Sequence, residues 1–353
     1  MLTAAEIREW DGGEPARGAP LLEVKGLVKH FPIKKGLFGG ARGVVRAVDD
    51  ITFDVVPGET LGIVGESGCG KSTTARLIMD LIRPDRGTIR LGGRAAGTPE
   101  LSLKAFRAAV QMVFQDSYAS LNPRLTVVES IAFGPTVHAI SRREAVQRAR
   151  GLLTRVGLEP ARFAGRYPHE LSGGQRQRVN IARALALQPK LLILDEAVSA
   201  LDKSVEAQVL NLLLDLKDEF GLTYIFISHD LEVVRFMASR VLVMYLGRIA
   251  EIGPTEALYT ASRHPYTTAL LGSMLSMDPD RRTREAPLAG DPPNPINPPP
   301  GCRFHTRCRY AENLCSEKEP MLEATGSGHR AACHAVDPLS GHSRARRTRR
   351  EGA

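Results

Sequence analysis

The chain has 353 residues, of which 43% are hydrophobic and 24% charged, a composition typical of a folded protein with one elaborated domain or two domains. Much of its net charge of +8 lies in the stretch SRARRTRR near the C-terminus, which is typical of a solvated tail and does not by itself indicate nucleic-acid binding. No apolar run reaches the roughly 18 residues needed to span a bilayer, and the N-terminal stretch lacks the apolar segment of a secretory signal. We therefore expect a cytoplasmic protein without disulfides.

The order of predicted elements indicates an α/β core. Residues 1–20 are predicted to be a flexible leader, and LLEVKGLVKHF and VVRAVDDITFDVVPGETLGIVG then predict strands broken by Pro-Gly turns. A helical period begins at Lys71, and residues 120–188 are predicted to be mostly helical. KLLILDE and TYIFISHD predict buried parallel strands, each followed by a helix, and RVLVMYLGRIAEIG predicts a hairpin.

The last part of the chain has a different composition. Seven prolines between Pro287 and Pro300 predict an extended, semi-rigid linker, and residues 338–353 are predicted to be a basic, disordered tail. Between them lie four cysteines whose spacing matches neither the usual zinc pairs nor a ferredoxin motif, so free thiols and zinc both remain open. These cysteines are Cys302, Cys308, Cys315 and Cys333, with His305, His329 and His334 as alternative ligands.

The stretch GESGCGKS, residues 65–72, follows a predicted strand and opens a predicted helix, which is the context that a phosphate-binding loop requires. Its glycines let backbone amides surround phosphates at a helix N-terminus. Lys71 is expected to contact the β- and γ-phosphates and the Ser72 hydroxyl to bind Mg²⁺. We interpret Cys69 as a small residue of the loop rather than as a redox sensor. The predicted ATP-binding residues of this loop are Gly65, Glu66, Ser67, Gly68, Cys69, Gly70, Lys71, Ser72 and Thr73.

A pair of acids ends the predicted strand LLILDE. Asp195 is expected at the carboxyl end of that strand, where α/β proteins bind ligands, and it could hold Mg²⁺ through water. Glu196 is then placed to orient or deprotonate an attacking water. A surface acid pair that merely ends a strand is the alternative, and the phosphate loop upstream disfavours it.

The motifs GESGCGKST, LSGGQRQR, LLILDE, SALD and SHD, in this order, resemble those of ATP-binding cassette proteins. The resemblance implies a RecA-like phosphate-loop core with an antiparallel β region and a helical subdomain (about 120–188), together spanning residues 21–262. In this family two cassettes pair head to tail, and the LSGGQ motif of one caps the ATP of the other. The residues that would bind ATP in trans are Ser172, Gly173, Gly174 and Gln175.

Further positions carry roles that the resemblance implies. Phe31 would stack on adenine, although a packed core phenylalanine is the alternative, and Asp202 would couple the two cassettes. Gln115 would contact Mg²⁺ and the attacking water, and His229 would contact the γ-phosphate and Glu196. The family often has proline after the catalytic glutamate; this chain has alanine there, which removes no functional group.

Three stretches resemble ATPase subunits of bacterial oligopeptide and dipeptide importers: FQDSYASLNPRLTV, HPYTTALL and NPPPGCRFHTRCRYAENLC. The phosphate loop and the IKKGLFGG insertion most resemble the F-type subunit. The resemblance implies a D-type ATPase partner, two membrane permease subunits and an extracytoplasmic solute-binding protein, with the chain at the cytoplasmic face of the inner membrane. It also implies a C-terminal extension (263–337) whose four cysteines hold a [4Fe–4S] cluster, with zinc as the alternative.

The expected function is therefore ATP hydrolysis coupled to peptide uptake, with nickel or another small solute as an alternative cargo. Cassette ATPases that act on DNA insert long coiled coils between the phosphate loop and LSGGQ, whereas about a hundred residues separate the two motifs here. Cassette ATPases that act on ribosomes usually carry two cassettes, and this chain carries one, so we expect no nucleic-acid partner. A small-molecule kinase would leave LSGGQ unexplained.

Overall fold

A computed structural model describes residues 19–35, 39–274, 290–291, 293–326 and 328–345. The predicted leader up to residue 18, the arginine-rich end of the predicted tail and the first part of the proline-rich linker lie outside the described residues. Within the described ranges, no helix is long and apolar enough to cross a membrane.

The strands of the described residues are β1 (Leu22–Lys35), β2 (Gly39–Val55), β3 (Thr60–Val64), β4 (Arg86–Leu91), β5 (Arg94–Ala95), β6 (Val110–Val113), β7 (Leu191–Asp195), β8 (Thr223–Ile227), β9 (Arg240–Tyr245), β10 (Arg248–Pro254), β11 (Glu323–Gly326) and β12 (His329–Ala331). The helices are α1 (Lys71–Ile78), α2 (Leu103–Ala109), α3 (Val127–Val137), α4 (Arg142–Arg155), α5 (Pro160–Phe163), α6 (Gly173–Leu185), α7 (Lys203–Phe220), α8 (Leu231–Met237), α9 (Thr255–Ala261), α10 (Pro265–Gly272) and α11 (Asn313–Glu317).

Two sheets organise these elements. The smaller sheet is antiparallel, in the order β2-β1-β4-β5, and the larger has the order β11-β12-β10-β9-β3-β8-β7-β6. In the larger sheet β9, β3, β8, β7 and β6 are parallel, as the fully buried runs of β3, β7 and β8 require. The expected α/β core with an antiparallel β region is confirmed, with parallel β7 and β8 where the sequence predicted them.

The larger sheet separates two hydrophobic cores. Along β8, Ile225 and Ile227 face the core shared with the smaller sheet and α1. Tyr224 and Phe226 alternate with them and face the core shared with helices α3, α4, α6 and α7. This second core contains the predominantly helical part of the chain between 127 and 185, in agreement with the predicted helical stretch. The domain boundaries themselves stay a prediction.

The predicted hairpin near residue 246 is confirmed. β9 and β10 pair antiparallel, with Arg248 opposite Tyr245. The turn residues Leu246 and Gly247 both have positive φ, 44° and 80°, as a tight two-residue hairpin turn demands. Alanine at position 247 would place its Cβ 2.6 Å from the Arg46 carbonyl oxygen, so this turn lies directly against β2.

The C-terminal residues extend the larger sheet, a feature that the sequence did not predict. β12 pairs with β10 and β11 pairs with β12, both antiparallel. Glu251 of β10 is fully buried, pairs with His329 across this junction and accepts hydrogen bonds from the amides of Arg263 and His264. The end of the proline-rich segment also contacts the fold, because the Pro295 carbonyl accepts a hydrogen bond from an amide of β2. The cysteine-containing region is therefore docked on the cassette.

Candidate nucleotide site

The loop between β3 and α1 curls because three of its glycines have positive φ. A Cβ at Gly65 would lie 2.2 Å from the Met244 carbonyl oxygen, and one at Gly70 would lie 2.3 Å from the Ala47 carbonyl oxygen. These two glycines let the loop pass close to β9 and to β2. The amide of Thr74 donates to the Gly70 carbonyl, which fixes the start of α1 directly after the loop.

The Lys71 ammonium folds back over this loop. It is buried and donates hydrogen bonds to the carbonyl oxygens of Gly65 and Glu66, at 2.8 and 3.2 Å. Cys69 beside it is also buried, and burial raises the pKa of its thiol. A buried thiol with a raised pKa is a poor nucleophile, which supports its interpretation as a small loop residue.

The structure brings the two predicted Mg²⁺-binding side chains of the loop and strand together. The Ser72 hydroxyl donates a hydrogen bond of 2.9 Å to Asp195 Oδ1 at the end of β7. Asp195 is buried, and burial raises the pKa of its carboxyl, with the charge of Glu196 adding to the effect; the Ser72 hydrogen bond opposes it. A cation at this position would offset the cost of keeping the carboxylate ionised.

Both predicted catalytic partners lie beside Glu196. Its Oε2 accepts a hydrogen bond of 2.8 Å from the Gln115 amide and lies 3.6 Å from His229 Nδ1. Gln115 and His229 are exposed, while Glu196 is half-buried. Three side chains from separate parts of the chain thus converge beside Ser72 and Asp195, as expected for a site that positions water against a phosphate.

Phe31, the predicted adenine platform, lies on β1 with 36% of its surface exposed. The Lys29 ammonium is 5.5 Å from the centroid of its ring. Its exposure disfavours the alternative of a core phenylalanine and leaves the ring available for stacking. The neighbouring His30 pairs with Asp49 at 2.9 Å.

The predicted trans-acting motif forms the start of α6. Ser172 is the N-cap: its hydroxyl accepts from the Gln175 amide, and the Gln175 side chain accepts from the Ser172 amide. A Cβ at Gly174 would lie 2.5 Å from Val205 Cγ1, so this glycine is required by packing within the chain. A Cβ at Gly173 would meet only ordinary contact, 3.8 Å from a leucine methyl group. Packing therefore explains one glycine, and Gly173 stays available for a ligand.

Asp202, the predicted coupling residue, is exposed at the N-cap of α7 and makes no capping hydrogen bond with its side chain. Its neighbour Lys203 instead pairs with Glu206 and Asp230, both at 2.9 Å. This ion-pair network joins the start of α7 to the N-cap of α8. The Asp202 carboxylate itself is exposed to solvent.

Sequence reasoning missed two side chains that hold the phosphate loop. The Glu66 amide donates a hydrogen bond of 2.9 Å to the Tyr266 hydroxyl, and the Arg307 guanidinium donates to both oxygens of the Glu66 carboxylate at 2.8 and 3.1 Å. Tyr266 belongs to the HPY stretch that suggested the importer family, and Arg307 precedes Cys308. The HPY stretch can be recognised in the sequence, but its contact with the phosphate loop cannot.

The four clustered cysteines, Cys302, Cys308, Cys315 and Cys333, line one small pocket. Burial and the neighbouring thiols raise the pKa of Cys302 and of Cys333 to about 12. Of the alternative ligands, His305 and His334 line the same pocket, whereas His329 is wrong as a candidate because it pairs with Glu251 instead. No group of three or more His, Cys, Asp and Glu side chains in the described ranges is arranged to hold a metal ion.

Two family models match the chain. One, described as ABC transporter, covers residues 48–199, and the other, described as the C-terminal region of oligopeptide/dipeptide transporters, covers residues 250–315. The first match contains the phosphate loop, LSGGQ and the acid pair. The second contains the HPY stretch and three of the four clustered cysteines.

Curated relatives and solved structures agree with these matches. The chain is 50% identical to the oligopeptide transport ATP-binding protein AppF of Bacillus subtilis, with 89% of this chain and 97% of that protein covered. It is 44% identical to the di/tripeptide transport ATP-binding protein DppF of Pseudomonas aeruginosa, with 91% and 99% covered. Its fold is similar to the ATP-binding cassette MJ0796, solved as a post-hydrolysis dimer with ADP and Pi: the TM-score is 0.57, the identity 30%, and the match covers 66% of this chain and 98% of the other. The chain therefore belongs to the ATP-binding subunits of oligopeptide and dipeptide ABC transporters, and it is an ABC-type ATPase.

Proposed function

We propose that this chain is the ATP-hydrolysing subunit of a bacterial importer for oligopeptides or dipeptides, located at the cytoplasmic face of the inner membrane. The observation that carries the proposal is the convergence of Gln115, Glu196 and His229 beside the Ser72–Asp195 contact. The relatives AppF and DppF support peptides as the cargo.

Each side chain then has a task. The loop amides and Lys71 bind the phosphates, and Ser72, Asp195 and Gln115 would hold Mg²⁺, which supplies charge neutralisation at the transferred phosphate. Glu196 accepts a proton from the attacking water, Gln115 orients that water, and His229 holds Glu196 in place and reaches the γ-phosphate. Phe31 stacks on the adenine ring.

The signature segment implies a second cassette. Ser172 and Gly173 begin α6 at the surface, and the helix N-terminus provides an anion site for the γ-phosphate of a partner's ATP. We propose a D-type ATPase as that partner, with Asp202 at the shared interface. Two permease subunits and an extracytoplasmic solute-binding protein would complete the importer.

A membrane pull-down tests the proposal. The tagged chain with Glu196→Gln is captured in mild detergent from its native membranes with ATP, because slowed hydrolysis holds the assembly together. We expect a second cassette ATPase and two multi-span proteins, and none of them from membranes that contain the untagged chain. Recovery of ribosomes or DNA, or of no membrane protein, would contradict the transport role and leave the ATPase activity standing.

We further propose that the four cysteines bind a [4Fe–4S] cluster. Support comes from their arrangement: Cys302, Cys308, Cys315 and Cys333 line one small pocket of the folded chain. A zinc ion draws four thiolates to about 2.3 Å from one centre. Four cysteines also match the Cys₄ ligation of a [4Fe–4S] cluster, and zinc is the alternative.

Metal analysis distinguishes these possibilities. Protein purified without oxygen should be brown and contain about four irons and four sulfides per chain, with Cys308→Ser lowering both. One zinc ion per chain without sulfide would show that the cysteines bind zinc instead. Absence of both metals would leave free thiols.

A further inference from the structure

The segment from Cys302 to Cys308 carries two arginines that reach the nucleotide site from the C-terminal region. The Arg307 side chain is almost fully buried and makes the bidentate contact with Glu66 of the phosphate loop. Its guanidinium also lies near the Tyr245 hydroxyl, at 3.4 Å. Bidentate arginine–carboxylate pairs are the strong, geometrically specific class of ion pair.

The backbone of the same loop residue is held by the same region. The Glu66 amide donates to Tyr266, whose ring is fully buried and packs 5.4 Å from the ring centroid of Phe304. Phe304 lies between the two arginines in sequence and also contacts Tyr245 edge-on. Both the main chain and the side chain of Glu66 are therefore fixed by residues outside the nucleotide-binding motifs.

The second arginine reaches the other side of the site. Arg303 donates to the Asp49 carboxylate and to the Leu246 carbonyl. Asp49 pairs with His30, next to the predicted adenine platform. The residue after Leu246 donates its amide to the Cys69 carbonyl at 2.8 Å, so this contact supports the loop from behind.

We propose that Arg307 is a positioning residue for ATP, through which the cysteine-containing region sets nucleotide affinity; this rests on the proposed ATP site. Glu66 places a carboxylate within the loop that receives the phosphates, where an unpaired negative charge would repel ATP. Arg307 neutralises this charge and fixes the Glu66 carboxylate by a bidentate contact. Arg303 and Arg307 lie directly beside Cys302 and Cys308. The order of the cysteine pocket therefore affects both the phosphate loop and the region beside the predicted adenine platform.

A double-mutant cycle tests this inference by calorimetric titration of MgATP into the full-length chain. Arg307→Ala should raise the Kd about fivefold or more, the lower end of typical coupling between sites. Adding Glu66→Gln should restore much of the affinity, because the charge that Arg307 neutralises is then gone. Arg309→Ala, a change just after this segment at a side chain that lies over Tyr310, should leave the Kd close to the wild-type value.

A general structural role would not produce this rescue. If Arg307→Ala weakens binding equally with and without Glu66→Gln, or leaves the Kd unchanged, the inference is overturned. If Arg307→Ala does not fold, Arg307→Gln replaces it with the same expectations. Lys71→Ala distinguishes failure of the ATP site from failure of the positioning role. If the wild-type chain binds MgATP no better than Lys71→Ala does, the ATP site itself is overturned. If the wild-type chain binds MgATP more tightly than Lys71→Ala but Arg307→Ala binds as tightly as the wild type, only the positioning role is overturned.

Discussion

Glu196 has a left-handed backbone conformation, with φ of 48°, which is unfavourable for a non-glycine residue. The conformation follows directly after β7 and turns the carboxylate toward Gln115 and His229. Strain of this kind persists where the surrounding structure fixes a functional side chain. It gives a physical reason to expect that Glu196 is the catalytic base.

Replacing Glu196 with glutamine should leave ATP binding intact and slow hydrolysis about 100-fold or more, because an amide cannot accept the proton from water. The variant should accumulate a closed dimer with its partner cassette. Phosphate release and size-exclusion chromatography with ATP measure the two effects, and Glu232→Gln, an exposed site on α8, is the control. Near-normal turnover would remove Glu196 from the base role.

Asp49 illustrates how pairing outweighs burial at a single residue. Burial acts to raise the pKa of its carboxyl, but the hydrogen bond with His30 and the charges of Arg303 and Arg248 lower the pKa from 3.8 to about 2. Burial lowers the pKa of Arg303, yet arginine remains protonated in proteins, so the ion pair persists. A lowered carboxyl pKa stabilises the fold above pH 4, and the effect is lost as the pH falls toward 2.

Asp49→Asn should therefore lower the free energy of unfolding by about 2 kcal/mol at pH 7 and by only about half as much at pH 3. Urea denaturation of both proteins at the two pH values measures the difference. Asp50→Asn, at the adjacent exposed aspartate, is the matched control and should cost little at either pH. A difference that does not shrink in acid would show that Asp49 acts by packing alone.

At the scale of elements, the start of α6 assigns different tasks to two adjacent glycines. Gly174 is confined by Val205 of α7, whereas Gly173 has room for a side chain within its own chain. A helix whose first residue is open and whose second is packed combines a fixed position with an accessible anion site.

Gly174→Ala should destabilise the fold by about 1–3 kcal/mol through overpacking, and adding Val205→Ala should recover most of that loss. Gly173→Ala should leave stability unchanged or slightly raised, because alanine favours a helix over glycine. It should nevertheless abolish ATPase activity of the paired cassettes. Thermal unfolding and ATPase assays separate these outcomes, and full activity of Gly173→Ala would exclude close approach of a ligand there.

At the scale of the molecule, Glu251 anchors the C-terminal region to the larger sheet. It is fully buried, and its partners are His329 of β12 and the amides of Arg263 and His264. Burial acts to raise the pKa of Glu251, but these hydrogen bonds outweigh it and lower the pKa overall. The carboxylate is therefore the common acceptor for three donors around one junction.

Glu251→Ala should cost about 3 kcal/mol of unfolding free energy, because it leaves buried donors without an acceptor. Limited proteolysis should then cut the chain after β10 faster than in the wild type. Glu251→Gln keeps one acceptor oxygen and should cost less. Equal stability of all three proteins would contradict the anchoring role.

The sequence by itself determined the parallel strands, the β9–β10 hairpin and the contiguous motifs of the nucleotide site. Strands β7 and β8 are short apolar runs, which local pattern identifies, and the phosphate loop needs its glycines at fixed spacing. The family resemblance added the roles of Gln115 and His229, which periodicity alone could not supply. These features are predictable because the residues that define each of them are adjacent in the chain.

Only the tertiary structure decided how distant segments meet. Glu66 contacts Tyr266 and Arg307, which lie 200 and 241 residues away, and β12 and β11 extend a sheet whose other strands end at Pro254. An ion pair or an added edge strand between remote segments leaves no periodic signal in either one. The same holds for Gly174, because only the packing of α7 against α6 leaves no room for a side chain there. The sequence predicts the cysteine-containing region only as a C-terminal extension, whereas the structure shows that it supports the phosphate loop.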